Sequence, residues 1–64
     1  MKNHQKFLTD AFTELSSAQR DVFNLLMYFD PKRPENSAAD VEQAKRRLAR
    51  ATAALTQLEV IKLA

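Results

Sequence analysis

The run AKRRLAR, residues 44–50, places four basic side chains in seven positions and is the segment best suited to bind phosphate. Clustered lysines and arginines neutralise the charge of a nucleic-acid backbone and release its counterions. A phosphate-binding stripe on this stretch would consist of Lys45, Arg46, Arg47 and Arg50. One function that these residues allow is therefore nucleic-acid binding, to DNA or RNA, by a regulator such as a regulator of transcription.

The same basic stretch has two interpretations that involve no nucleic acid. In the first, which we favour over phosphate binding, it is a solvated face on which Glu42 pairs with Arg46 and Asp21 pairs with Lys45. In the second, Arg46 and Arg50 form part of the rim of a protein interface, where arginine is enriched. The formal charge of +2 does not decide between them.

Acidic side chains at helical spacing raise the question of a metal site. Asp10, Glu14 and Asp21 follow one another at intervals of four and seven, which places them along one side of a helix. Metal sites in helical bundles use inward-pointing Glu-x-x-His pairs, and the sequence has no such pair. The chain has no cysteine and a single histidine, His4, among polar residues near the start. We therefore interpret the acids as a solvated flank and His4 as a solvated residue, and we expect no metal.

Residues for nucleophilic catalysis are also lacking. Ser16, Ser17 and Ser37 have no base that the sequence brings alongside, and a chain without glycine cannot build a glycine-rich oxyanion or phosphate loop. We predict that the protein is not an enzyme and has no catalytic residues, no cofactor and no small-molecule substrate.

The elements that position these residues are two helices. The only prolines, Pro31 and Pro34, interrupt the chain near its middle, and proline cannot continue a helix interior. We predict one domain, residues 1–64, with helix 1 at about 6–29, a turn at 30–36 and helix 2 at about 37–62, starting near a capping Ser37. Apolar residues recur at helical spacing in both segments: Leu8, Ala11, Leu15, Ala18, Val22, Leu25 and Phe29, then Val41, Ala44, Leu48, Ala51, Leu55 and Leu58.

Equal helix lengths and a short turn predict an all-α, two-helix antiparallel hairpin of coiled-coil type. If the chain reverses at about 32–35, facing residues have numbers that sum to about 66. The resulting layers pair a large side chain with a small one, as a packed core requires: Val22 with Ala44, Ala18 with Leu48, Leu15 with Ala51, and Ala11 with Leu55.

A second apolar stripe on helix 1 has no place in a lone hairpin. We expect it to bind protein, either a second copy that completes a four-helix bundle as a homodimer or a different partner protein. The residues we expect to carry this contact are Phe12, Phe23, Leu26, Met27 and Tyr28, with Ile61 near the C-terminus and with Arg46 and Arg50 tuning it.

Two segments resemble helices of bacterial sigma-factor region 4. LSSAQRDVF, residues 15–23, is similar to the opening helix of that region, and AKRRLARATAAL, residues 44–55, is similar to its recognition helix. The resemblance covers about a third of the chain and implies DNA contact by the basic residues of the second segment. Between the two segments the family has the first helix of a helix-turn-helix, whereas this chain has PKRPENSAADVEQ, which is shorter and holds both prolines. DNA reading is therefore not carried over directly.

In size and plan the chain is also similar to the small helical-hairpin co-chaperones of type III secretion and to hairpin RNA binders of plasmid copy control. No run approaches the roughly 20 apolar residues that span a bilayer, and we expect a cytoplasmic protein without a membrane partner. The function that we predict is a small protein-binding hairpin acting as an adaptor, co-chaperone or inhibitor. The alternative is the nucleic-acid-binding regulator.

Overall fold

The structure, a computed structural model, describes the backbone of residues 2–60 and the side chains of residues 4–60. Within this range the chain forms helix α1, Lys2–Tyr28, a short 3-10 turn, Pro34–Ser37, and helix α2, Ala38–Val60, and it forms no strand. The predicted all-α hairpin is confirmed. Helix α1 begins earlier than the expected residue 6, and the expected end of helix 2 near residue 62 lies outside the described residues.

Helix α1 ends where the first proline removes a backbone donor. The amide of Phe29 still donates to the Leu25 carbonyl at 2.9 Å, and Pro31 then prevents the helix from continuing. The Asp30 carboxylate accepts a hydrogen bond from the Lys32 amide at 2.9 Å, which forms an Asx turn over the proline. The chain therefore reverses without glycine.

The second half of the connection is a 3-10 turn. The Arg33 amide donates to the Asp30 carbonyl at 3.0 Å, and the Asn36 amide donates to the Arg33 carbonyl at 3.1 Å. Pro34 occupies the first turn, where its missing N–H costs nothing. Ser37, predicted to cap helix 2, is instead the buried last residue of this turn, and α2 follows directly at Ala38 without a break.

Alanine forms the line of contact between the two helices. The buried hydrophobic residues of the described chain are all alanines: Ala11, Ala18, Ala44, Ala51 and Ala54. Because side chains at a helix contact set the interaxial distance, alanine lets the two backbones approach closely. Burial of a methyl group contributes only about 0.8 kcal/mol, so this core provides little stability for a chain of this size.

The helices pair in the predicted register. The Arg47 guanidinium donates to the Ser17 carbonyl at 3.3 Å and to the Asp21 carboxylate at 3.1 Å, and Arg50 lies 3.8 Å from the Glu14 carboxylate. The numbers of these facing residues sum to between 64 and 68, around the predicted 66.

The larger member of each predicted layer is less enclosed than the sequence indicated. Leu15, Val22, Leu48 and Leu55 remain 43–51% exposed, although Ala11, Ala18, Ala44 and Ala51 are buried as expected. With alanine centred on the contact line, the longer side chains turn to one side of it instead of meeting across it. These longer side chains therefore form an exposed apolar surface along one side of the hairpin.

Within the described residues, neither helix combines the length and the apolar content that crossing a lipid bilayer requires.

Candidate functional site

The two long sides of the hairpin have opposite character. One side, the apolar edge, carries exposed aliphatic residues at helical spacing from both helices: Leu8, Leu15, Val22 and Leu26 of α1, and Val41, Leu48 and Leu55 of α2. The other side, the ionic edge, carries the charged pairs between the helices: Asp21 with Arg47 and Glu14 with Arg50. The contact line of alanines separates the two edges.

An open groove of about 440 Å³ runs along the middle of the apolar edge. Its walls are Leu15, Ala18, Val22, Phe23 and Leu26 of α1 and Leu48 of α2. Among the described residues, the one polar residue that lines it is Gln19. A concave surface lined by aliphatic and aromatic carbon with a single amide is typical of a site that binds apolar side chains of another chain.

The residues predicted to bind protein fall at different distances from this groove. Phe23 and Leu26 line it. Phe12 precedes Gln19 by two helical turns and so lies on the same face of α1, where it is 71% exposed. Met27, also exposed, follows Phe23 by one turn and extends the outer margin of this face.

Three of the other predicted residues lie away from the groove. Arg46 and Arg50, predicted to tune the contact, line a separate depression with Arg47 on the ionic edge. Tyr28 is exposed and follows Asp21 by two helical turns, which places it on the ionic edge. Ile61 lies outside the described residues. The structure therefore brings together Phe23, Leu26 and, on the same face, Phe12.

The sequence interpretation missed Leu15, Gln19, Val22 and Leu48 as surface residues, because it assigned the three aliphatic ones to the interior of the hairpin. Each helix alternates alanine with a larger aliphatic residue, but this alternation does not say which of the two is central in the contact.

The ionic edge carries the polar contacts between the two helices. The side chains of Arg47 and Asp21 are only 25% and 13% exposed, and Arg47 also donates to the Ser17 carbonyl. Since partial burial reduces screening by water, this pair is stronger than an exposed one. It stabilises the contact between the helices on the ionic edge, whereas the apolar edge has no such pair among the described residues.

The predicted partners of the charged residues need correction. Asp21 pairs with Arg47 and not with Lys45, because residues two apart on a helix point to nearly opposite sides. Lys45 instead lies 3.6 Å from Glu42, which the sequence had paired with Arg46. Lys45 is thus separated from the other basic side chains of its run.

Three arginines of the basic run share one surface. Arg46, Arg47 and Arg50 line a shallow depression of about 230 Å³ together with Gln43. Arg47 and Arg50 each face a carboxylate of α1, whereas Arg46 has no carboxylate partner among the described residues. Carboxylates beside two of the three guanidinium groups reduce the attraction of this surface for phosphate.

The acidic residues do not assemble into a metal site within the described part of the chain. Asp10 accepts a hydrogen bond from Lys6 at 2.8 Å, and Glu14 and Asp21 face arginines. Among the residues that the structure describes, no group of three His, Cys, Asp or Glu side chains could hold a metal ion. His4 is exposed.

Compared with protein-family models, with curated proteins and with solved structures, the chain gives no match in any of the three comparisons. The resemblance to sigma-factor region 4 and the similarity of plan to secretion co-chaperones and hairpin RNA binders therefore stay predictions.

Proposed function

We propose that this chain is a protein-binding helical hairpin that works as an adaptor, co-chaperone or inhibitor and that associates through its apolar edge, two hairpins forming a four-helix bundle. One observation carries the proposal: the buried hydrophobic residues of the described chain are all alanines, while thirteen larger hydrophobic side chains remain at least 38% exposed.

The energetics favour association. Complete burial of a Leu, Val or Phe side chain contributes about 1.5–3 kcal/mol, and a domain of this length has a total stability of only about 3–10 kcal/mol. Covering four half-exposed groove residues, such as Leu15, Val22, Phe23 and Leu48, would recover an amount comparable to the whole stability of the hairpin. A second protein surface is the means of covering them.

The composition of the face agrees with a protein partner. Phe12 and Phe23 are aromatic anchors of the kind that dominates binding energy at interfaces. Met27 beside them is flexible and lets a surface repack against more than one partner. An adaptor or inhibitor needs such a surface.

The test is a matched pair of substitutions at adjacent positions of α1. Phe23 lines the groove, whereas Asn24 is exposed and faces away from it. Phe23→Asp introduces a charge on the face, and we expect it to convert the assembly to a monomer or to unfold it. Asn24→Asp introduces the same charge off the face, and we expect no change. Light scattering measures the mass, expected at twice the chain mass of 7.3 kDa for the original protein.

Circular dichroism on the same samples separates dissociation from unfolding. If Phe23→Asp leaves both the mass and the melting temperature unchanged, the apolar edge is not an interface and the proposal is wrong. If Asn24→Asp has the same effect as Phe23→Asp, the effect comes from the added charge and not from the groove.

The alternative, a nucleic-acid-binding regulator using Lys45, Arg46, Arg47 and Arg50, receives less support. Lys45, Arg47 and Arg50 each lie within 4 Å of a carboxylate, so the positive charge is largely compensated within the hairpin.

A further inference from the structure

The exposed face of α1 has a symmetric order of residues. Phe12, Leu15, Gln19, Phe23 and Leu26 follow one another at spacings of three, four, four and three, with the polar residue in the middle. If a second α1 lies antiparallel with the two Gln19 residues facing each other, Phe12 of each copy faces Leu26 of the other. In the same arrangement Leu15 faces Phe23, so an aromatic side chain meets an aliphatic one in each layer on either side of the Gln19 pair.

The apolar edge of α2 has the same property. Val41, Leu48 and Leu55 are spaced by seven residues, so an antiparallel second α2 centred on Leu48 places Val41 of each copy opposite Leu55 of the other. The row is aliphatic throughout, and the three residues are about equally exposed.

The two centres of symmetry lie at the same level of the hairpin. Gln19 and Leu48 both line the groove. The observed register, in which Arg47 contacts Ser17 and Asp21, places residues 18–20 of α1 beside residues 47–48 of α2. A single two-fold axis through this level therefore relates both helices to their copies at once, as a closed symmetric dimer requires.

Gln19 itself favours an identical partner. Its amide carries both donors and an acceptor, and a purely apolar partner would bury them without hydrogen bonds. At a two-fold axis the second Gln19 supplies the complementary acceptor and donors. A single polar residue in an apolar interface is also a known means of fixing register and oligomeric state.

We infer that the occupant of the apolar groove is a second copy of this chain, stacked with α1 antiparallel on α1 and α2 antiparallel on α2, with the two-fold axis passing by Gln19 and Leu48. The inference rests on the proposed function and specifies its partner and geometry. Gln19 is the residue that sets the register, through an amide pair across the axis.

Spin labels on the outer side of α1 test the arrangement. The chain has no cysteine, so Thr13→Cys, Arg20→Cys and Asn24→Cys each give one labelling site, and all three positions are exposed. At a rise of 1.5 Å per residue, a label and its symmetry mate separate along the helix axis by about 3 Å for each residue of distance from Gln19. The axial separations expected are about 3 Å for Arg20, about 15 Å for Asn24 and about 18 Å for Thr13.

The alternative symmetric dimer stacks α1 on α2 with the two-fold axis parallel to the helices. There every label lies at the same height as its mate, so the three distances measured by pulsed electron resonance would be nearly equal. A shortest distance at Arg20, with longer distances at Thr13 and Asn24, is the result expected here.

A substitution at the axis tests the role of Gln19 separately. Gln19→Glu places two like charges together in an apolar interface, and we expect dimer affinity to fall by at least about 100-fold at neutral pH. Gln57→Glu is the matched control, because Gln57 borders the ionic side of the hairpin and lies off the apolar edge. We expect it to leave the affinity within a few-fold of the original. Analytical ultracentrifugation measures both.

The outcomes separate this inference from the function on which it rests. A dimer with equal label distances, with its shortest distance elsewhere, or with Gln19→Glu no weaker than Gln57→Glu, overturns the inference and leaves the proposed association in place. A monomer at all concentrations overturns both. A shortest distance at Arg20, together with a selective loss for Gln19→Glu, supports both.

Discussion

Replacing one alanine of the contact line should separate the two helices. Ala51 is 2% exposed, and in the observed register it lies opposite Leu15. Ala51→Leu adds three carbon atoms at a point where the helices touch, and overpacking of this kind costs about 1–3 kcal/mol. For a domain of 60–100 residues each kcal/mol lowers the melting temperature by about 4–8 °C. We therefore expect a fall of about 4–24 °C.

The matched control is Ala49→Leu in the same helix. Ala49 is exposed, and alanine and leucine have similar helix propensities, so we expect a change within about 0.5 kcal/mol. Thermal melts followed by circular dichroism should be compared at equal protein concentrations, because association raises the apparent stability. If Ala51→Leu melts at or above the temperature of Ala49→Leu, close approach of the helices at alanine does not hold the hairpin together, and the explanation given for the exposed leucines fails with it.

Three further predictions concern the polar parts of the molecule. A double-mutant cycle with Asp21→Asn and Arg47→Met, measured by chemical denaturation, should give a coupling energy of about 1–2 kcal/mol. This value exceeds the roughly 0.2–1 kcal/mol typical of exposed pairs because the pair is partly buried. A coupling energy near zero would contradict the reasoning. Asp30→Ala should lower the free energy of unfolding by about 0.5–1.5 kcal/mol without loss of helix content, because the side chain no longer accepts the hydrogen bond from the Lys32 amide. An unchanged stability would show that the prolines alone make the turn. Titration with duplex DNA and with structured RNA at two salt concentrations should show no tight binding, because carboxylates compensate most of the charge of the basic run. Binding whose affinity falls steeply with salt, and which Arg46→Ala and Arg50→Ala abolish, would instead favour the nucleic-acid-binding alternative.

Much of the fold could be predicted from the sequence because its signals are local. Pro31 and Pro34 fix the break, and helical spacing on both sides fixes the element type. Even the register could be predicted, because the position of the turn at about 32–35 determines which residues of the two helices face each other.

The rotation of each helix about its own axis could not be predicted. Alanine and leucine alternate along both contact lines, and the pattern alone does not say which of them is central. Close contact at Ala18 and Ala51 turned Leu15 and Leu48 to one side, which created the groove. Because the rotation of α2 could not be predicted, the sequence interpretation named Lys45 as the partner of Asp21, whereas the structure shows that its partner is Arg47.

The bend at Asp30 and Pro31 has a consequence for how the molecule assembles. Both helices leave this one short reversal, so each new pair of facing residues closes a loop only slightly longer than the loop already closed, at a small additional cost in chain entropy. Contacts that form in this order are the kind found in fast-folding helical proteins. Contacts between the two helices can therefore form one after another, starting next to the bend. The contacts at the opposite end, near Lys6 and Asp10 of α1, would form last and break first.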